Sequence, residues 1–198
     1  MKSFSLPAVL LCLASCQSAP SAEKAIPAAT PPSQTTAAEP KNPEHIEANM
    51  VTVNGKPHEH LTTQLLISQL GRPDSIAKGA VECGGELETV NNANADVWYY
   101  GKTCYEVAGT QAVLSSFDVT TGKFQGKVGK LVLNQNTTLE DVRRYYPVSA
   151  KEAETPATGR PGEEMGIPFY HNGTPVDASL NLIFKNGRLQ EVEFFQPC

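Results

Sequence analysis

The sequence is short of positive charge. It sets 16 basic against 21 acidic side chains over 198 residues, a formal net charge of -5, so it has no basic excess with which to neutralise a phosphate backbone. Nucleic acid is therefore not an expected partner. Aromatic residues make up only 7% and charged residues 19%. The apolar stretch at residues 6–13 is too short to cross a bilayer as a helix. No Walker loop, nucleophile-elbow serine or dinucleotide glycine pattern occurs, which removes the common routes to nucleotide chemistry and serine hydrolysis. Gly122, Gly126 and Gly129 are wrongly spaced to cradle a phosphate, and no cofactor is expected. In excess are proline and glycine, 15 of each, which points to a segment unable to bury enough surface to fold. The length suits one domain plus an extra segment.

The extra segment lies at the start. Residues 1–15 combine Lys2 with the apolar stretch and read as a secretion signal. They lead into Leu13-Ala14-Ser15-Cys16, which resembles the lipobox of bacterial lipoproteins. That resemblance implies cleavage before Cys16 and acylation of its thiol and new amino group. Acyl chains contribute about 0.8 kcal/mol per buried CH2, so several would hold the chain on a membrane. By the same resemblance, Gln17 after the cysteine favours the outer membrane of the bacterial cell envelope. The alternative is an ordinary signal cleaved after a small residue, with Cys16 incidental. Residues 16–45 hold six prolines and no aromatic residue, and read as a tether extended at about 3.1 Å per residue. Folding is expected over residues 46–198, which retain 13 basic and 18 acidic side chains.

With Cys12 removed and Cys16 acylated, Cys83, Cys104 and Cys198 remain. An exported protein meets an oxidising compartment. Cys83 with Cys104 is the favoured pair, closing a Gly- and Asn-rich loop for about 3 kcal/mol on the chain-entropy model. Cys198 is a rival partner for either. Cys83 as a nucleophile is disfavoured, because its neighbours Glu82 and Glu86 would raise its pKa.

The pattern of residues 46–198 predicts an α+β domain, an antiparallel sheet with short helices on one face. Val51-Thr52-Val53 before Asn54-Gly55 opens a hairpin. Leu61, Leu65, Leu66 and Leu70 recur at helical spacing before Gly71 and Pro73, predicting a helix over residues 63–70. Residues 96–100, 104–107 and 112–119 read as strands, the last with Val113, Phe117 and Val119 on one face. A further strand at residues 130–133 precedes a capping box at Thr137-Thr138 and Glu140-Asp141. Leu139, Val142 and Tyr146 form a helical stripe that Pro147 ends, and residues 150–166 read as a loop. In the last hairpin, a three-residue loop 185–187 with Gly187 in a bulge pairs Phe184 with Arg188. It places Leu180, Leu182, Phe184, Val192 and Phe194 on one apolar face, which the two helices would cover.

The order strand, Thr-Thr, short helix, stop, strands occurs twice, giving possible halves 46–122 and 123–198. A short helix ending in Leu70-Gly71-Arg72-Pro73, followed by antiparallel strands on a lipoprotein, resembles the SmpA/BamE-like lipoproteins. The doubled unit resembles the beta-lactamase inhibitor protein family. These resemblances imply a module that binds another envelope protein, as an assembly scaffold or an inhibitor, and is not an enzyme.

The candidate interface anchors are Trp98, Tyr99, Tyr100 and Tyr105, since a strand turns alternate aromatics outward. His58 and His60 are the weak metal candidates. Two apart, they meet only on a strand, and Pro57 suggests a solvated loop instead. Scattered carboxylates, among them Glu163, Glu164, Glu191 and Glu193, leave open an envelope hydrolase acting on wall or glycan through a carboxylate pair. An immunity protein against a delivered toxin is a third reading.

Overall fold

The structure is a computed structural model that describes residues 44, 46–81, 85, 87, 89–90, 93–156 and 159–197, all within one unit spanning residues 41–198. In chain order the first half runs β1 (Ile46–Glu47), β2 (Val51–Val53), β3 (Lys56–Pro57), β4 (Leu61–Thr62), α1 (Thr63–Leu70), β5 (Ser75–Ala77), β6 (Thr89–Val90), β7 (Ala93–Asn94), β8 (Asp96–Tyr100), β9 (Thr103–Ala108) and β10 (Gln111–Asp118). The second half runs β11 (Gly126–Val128), β12 (Leu131–Leu133), α2 (Leu139–Arg143), α3 (Pro147–Glu154), β13 (Glu164–His171), β14 (Thr174–Lys185) and β15 (Arg188–Phe195). The architecture is mainly sheet, with few short helices.

Nine strands form the main sheet in the order β1-β13-β14-β15-β10-β9-β8-β5, with β4 added to β10. Two three-stranded meanders, β8-β9-β10 and β13-β14-β15, thus meet through their last strands, Phe117 opposite Val192. A four-stranded sheet, β12-β11-β2-β3, is separate. The hairpin turns at Asn54-Gly55, Asn172-Gly173 and Asn186-Gly187 all have positive φ at both positions, the backbone that two-residue turns between twisted strands require.

Local signals set the helices. Thr62 caps α1 by accepting from Leu65 N at 3.1 Å, and Gly71 closes it by donating to Ile67 O at 3.0 Å. At α2 the capping box is Thr138 with Asp141: Asp141 N donates to Thr138 Oγ1 at 3.2 Å, and Thr138 N to Asp141 Oδ2 at 3.0 Å. The Thr138 hydroxyl also donates to Asp141 Oδ2 at 2.7 Å, and this bond first, then that from Thr138 N, holds the Asp141 carboxyl below its ordinary pKa.

One core unites Phe117, Leu114, Ile167, Leu180, Leu182 and Val192 of the main sheet with Val51, Val128, Leu131 and Leu133 of the small one. Leu66, Val142 and Ala150 supply the helical contribution. The expected cover of helices is therefore corrected. Among the described residues the α-helices have only 8, 5 and 8 residues, and the small sheet shares the work.

Three local readings also change. Pro147 does not end the stripe; it opens α3 at its first turn, where its missing N–H costs nothing. Residues 150–166 consequently include the end of α3 and the start of β13. Val113 leaves the face of Phe117 and Val119, because β10 carries a bulge between Leu114 and Ser116, and joins Ser116 and Asp118 on the other side. The last hairpin has a two-residue turn, with Lys185 opposite Arg188 and Phe184 opposite Leu189. The bulge sits further along, where Ile183 meets Glu191, so Leu182 pairs with Val192 and Leu180 with Phe194. The apolar face survives this correction: Leu180, Leu182, Phe184 and Val192 are buried and Phe194 packs against them.

Gly126 on β11 lies under the Phe117 ring. A Cβ there would meet Phe117 Cζ at 2.7 Å and Leu133 Cβ at 3.3 Å. Gly126→Ala should therefore overpack the core and lower the unfolding free energy by about 1–3 kcal/mol, read as a reduced urea midpoint. An unchanged midpoint would mean that the two sheets are not in this contact.

Candidate functional site

The face of the main sheet opposite the core carries a row of register partners across six strands: Tyr99, Cys104, Ser116, Glu193, Asn181 and Gly166. Ser116 is buried, Gly166 exposed and the other four half-buried. The segment before β8 overlies one corner of this face. There Val81, Ala95 and Ala108 make a small apolar cluster with Leu87 and Val97, and Leu87 N donates to Glu106 Oε2 at 3.0 Å. Gly85 approaches so closely that a Cβ would lie 2.7 Å from Glu106 Oε2. Between this corner and β15 lies a cavity of about 540 Å³, lined by Tyr99, Cys104, Glu106, Glu193 and Phe195 among others.

Glu193 is half-buried beside like charges. Burial raises its pKa above the ordinary carboxylate value, and the charges of Glu191 and Glu164 raise it further. Among the described residues none of these three carboxylates is in an ion pair. Cys104 is half-buried and a free thiol in this structure. Burial pushes its pKa up first, and Glu191 and Glu193 add to the rise, opposed by a hydrogen bond from Ser116. Such a thiol is a poor nucleophile.

A second cavity, of about 590 Å³, lies beyond the end of β15. His58, Glu59, Phe169, Asp177 and Phe194 line it, and Phe195 and Gln196 belong to both cavities. The His58 ring is 1% exposed and stacks on Phe194 with centroids 3.9 Å apart and planes at 10°. Phe194 lies parallel to Phe169, 6.3 Å away. Glu59 sits between the two histidines, 3.3 Å from His58 Nε2 and 3.7 Å from His60 Nε2.

The structure separates the residues singled out in the sequence. Tyr100 and Tyr105 are both 5% exposed and meet edge-to-face at 5.7 Å in the core. The Tyr100 hydroxyl donates to Gly71 O at 3.1 Å, and burial raises both phenol pKa values. Trp98 is half-buried against the same core, and its Nε1–H is buried without an acceptor among the described residues. These three are packing residues. Tyr99 alone of the four reaches the outer face, because strand parity turns it away from them. His58 is not in a solvated loop, whereas the His60 side chain is 93% exposed. The described residues include no cluster of three His, Cys, Asp or Glu able to hold a metal. Cys16, Cys83 and Cys198, with the pairings proposed for them, lie outside the described residues, as do Glu82, Glu86 and Glu88.

Sequence reasoning missed the cavity around His58. Its signal was Leu180-Asn181-Leu182 against Val192-Glu193-Phe194: once the alternation assigns Phe194 inward, something must cover its ring beyond the core. Comparisons with family models, with curated proteins and with solved structures return no match.

A carboxyl whose pKa is raised on folding binds its proton more tightly in the native state, so its ionisation costs stability above the ordinary pKa and nothing below it. Glu193→Gln should accordingly raise the thermal midpoint at pH 7. The gain over the native protein should shrink as pH falls through 4.5, the ordinary value. A gain that persisted at pH 3 would show that charge is not its cause.

Proposed function

We propose that this chain is a lipoprotein of the bacterial cell envelope, held at the outer membrane by acyl chains on Cys16, whose domain is a non-catalytic protein-binding module of the scaffold or inhibitor type. The observation that carries the binding reading is the outer face of the main sheet. It presents half-buried Tyr99, Glu193 and Asn181 and ends in Phe195, a phenylalanine 48% exposed. Aromatic anchors amid polar groups that must be desolvated are what protein interfaces use. The interface candidates are therefore Tyr99 and Phe195, with Trp98, Tyr100 and Tyr105 serving the fold.

The α+β description, in its finer form, belongs to the same proposal. Each half, 46–122 and 123–198, supplies a helix-bearing segment and a meander, and the last strands of the two meanders lie side by side. That arrangement supports a tandem duplication with a single broad sheet face shared by both halves. It suits a partner larger than a small ligand.

A carboxylate-pair hydrolase finds less support. Glu106 and Glu193 share a cavity, yet the Glu106 carboxylate is committed to Leu87 N. The charges that raise the Glu193 pKa are those of Glu191 and Glu164 rather than of Glu106. A glycosidase pair needs two carboxylates that face one bond and set each other's pKa values.

Two experiments test the reading. Growth with a labelled palmitate should mark the native protein and leave Cys16→Ser unlabelled and released from the membrane fraction; equal labelling would remove the anchor. Affinity capture from detergent-solubilised envelopes should retain a protein with the native chain and lose it with Glu193→Arg or Phe195→Ala. Val132→Thr, on the exposed side of the small sheet, should retain it. Capture that ignores the outer-face variants would sink the docking surface.

A further inference from the structure

The 590 Å³ cavity occupies a gap in the main sheet. β15 ends at Phe195, opposite Ser179, but β14 begins at Thr174 and so continues past that end. On its other side β14 pairs with β13 at Ser179 and again at Pro175, skipping residues 176–178. None of these three residues has a register partner on either neighbouring strand, and Val176, Asp177 and Ala178 all line the cavity. Across the gap β10 is already satisfied, since Leu114 N donates to His58 O at 3.0 Å and Gln111 and Ala112 pair with β4. A stretch of strand edge therefore faces an open cavity. Natural sheets normally cover or charge such an edge.

The lining has a chemical bias. It offers aromatic side chains at Phe169, Phe194 and Phe195 and carboxylates at Glu59 and Asp177, and among the described residues no lysine or arginine lines it. A cationic side chain placed there meets the carboxylates and the exposed Phe195 ring. The far wall is fixed beforehand, because the Glu47 carboxylate accepts from Asn172 N at 3.2 Å and Gly173 N at 3.0 Å, clasping the turn of the β13–β14 hairpin.

We infer that this gap takes an extended segment of a protein partner, which adds as a strand beside residues 176–178 and sets a lysine or arginine between Glu59 and Asp177. Main-chain hydrogen bonds supply attachment and the basic side chain supplies selectivity. The inference rests on the protein-binding reading and names the chemistry of the segment bound. Phe195 joins the gap to the outer face, so one partner can engage both.

The test uses the purified full-length lipoprotein in detergent and fluorescent nine-residue peptides of alternating valine and threonine. One has a central arginine, one a central glutamate, and one the arginine with alternate backbone nitrogens methylated. The arginine peptide should bind, with the other two weaker by about tenfold or more, equivalent to about 1.4 kcal/mol. Asp177→Arg should weaken the arginine peptide to the same degree and improve the glutamate peptide, a reversal that misfolding does not produce. Val176→Pro should weaken all peptides. Equal binding of the three peptides, or no binding of the arginine peptide at millimolar concentration, overturns the inference. If the peptides fail while envelope capture still depends on Glu193 and Phe195, strand addition falls and the protein-binding reading stands; if both fail, both fall.

Discussion

Side chains along a strand alternate between two faces, and the two central strands of this sheet would break that rule without their bulges. Leu114 and Phe117 on β10, like Leu189 and Val192 on β15, are three residues apart, yet all four point into the core. A regular strand would send one of each pair to solvent. An extra residue at Ser115 and another at Gln190 restore the parity. Burying an apolar side chain contributes roughly 1.5–3 kcal/mol, more than the local ladder loses at a bulge. The placement of Phe117 against Gly126, and of Leu182 against Val192, depends on those two insertions.

The same insertions determine what the outer face displays. Past its bulge, β10 turns Ser116 and Asp118 outward, and β15 turns Glu191 and Glu193 outward beside them. Burial first, and then the neighbouring carboxylates Glu191 and Glu164, raise the Glu193 pKa, so keeping its charge on this face is unfavourable in the isolated protein. A sheet that keeps such a row on its open side bears that cost at the position where a partner of opposite charge would remove it. The half-buried Glu193 and the exposed Phe195 lie on the same face, the one proposed above as the docking surface.

Much of the local structure was legible because its signals are short-range. Thr62 to Gly71 marks α1, Asn54-Gly55 marks a hairpin turn, and Thr138 with Asp141 marks the start of α2. What was hidden had ambiguous punctuation. Pro147 reads equally well as the end of one helix or the first residue of the next, and only the backbone of Tyr146 distinguishes them. β13 alternates Met165, Ile167 and Phe169 inward, but Gly166 and Pro168 between them look like loop residues. A Cβ at Gly166 would lie 3.2 Å from Asn181 Oδ1, a tertiary contact that the local sequence does not show. Strand parity divides the aromatic residues, Tyr99 facing out while Trp98 and Tyr100 face in, but which side is the core depends on the sheet as a whole. For the site, the carboxylates of β15 were visible, but the cavity around His58 depends on where β15 stops, which no local pattern encodes.

The segment that opens the domain is fastened to its second half. Glu44 accepts from Val148 N at 2.6 Å and Ser149 N at 2.8 Å, at the start of α3. Ile46 then pairs with Phe169, and Glu47 clasps the turn at Asn172-Gly173. Residues 44–47 are therefore fastened to the second half of the chain at three points, one on α3 and two on the hairpin that walls the gap. A hairpin held at its turn and along the adjoining residues 169–170 of β13 has little freedom left to lose there, so in the proposed strand addition the ordering cost of association would fall mainly on the partner. The contacts of residues 46–47 and the open edge at residues 176–178 thus share one hairpin, so the proposed strand addition would meet an edge that is already ordered.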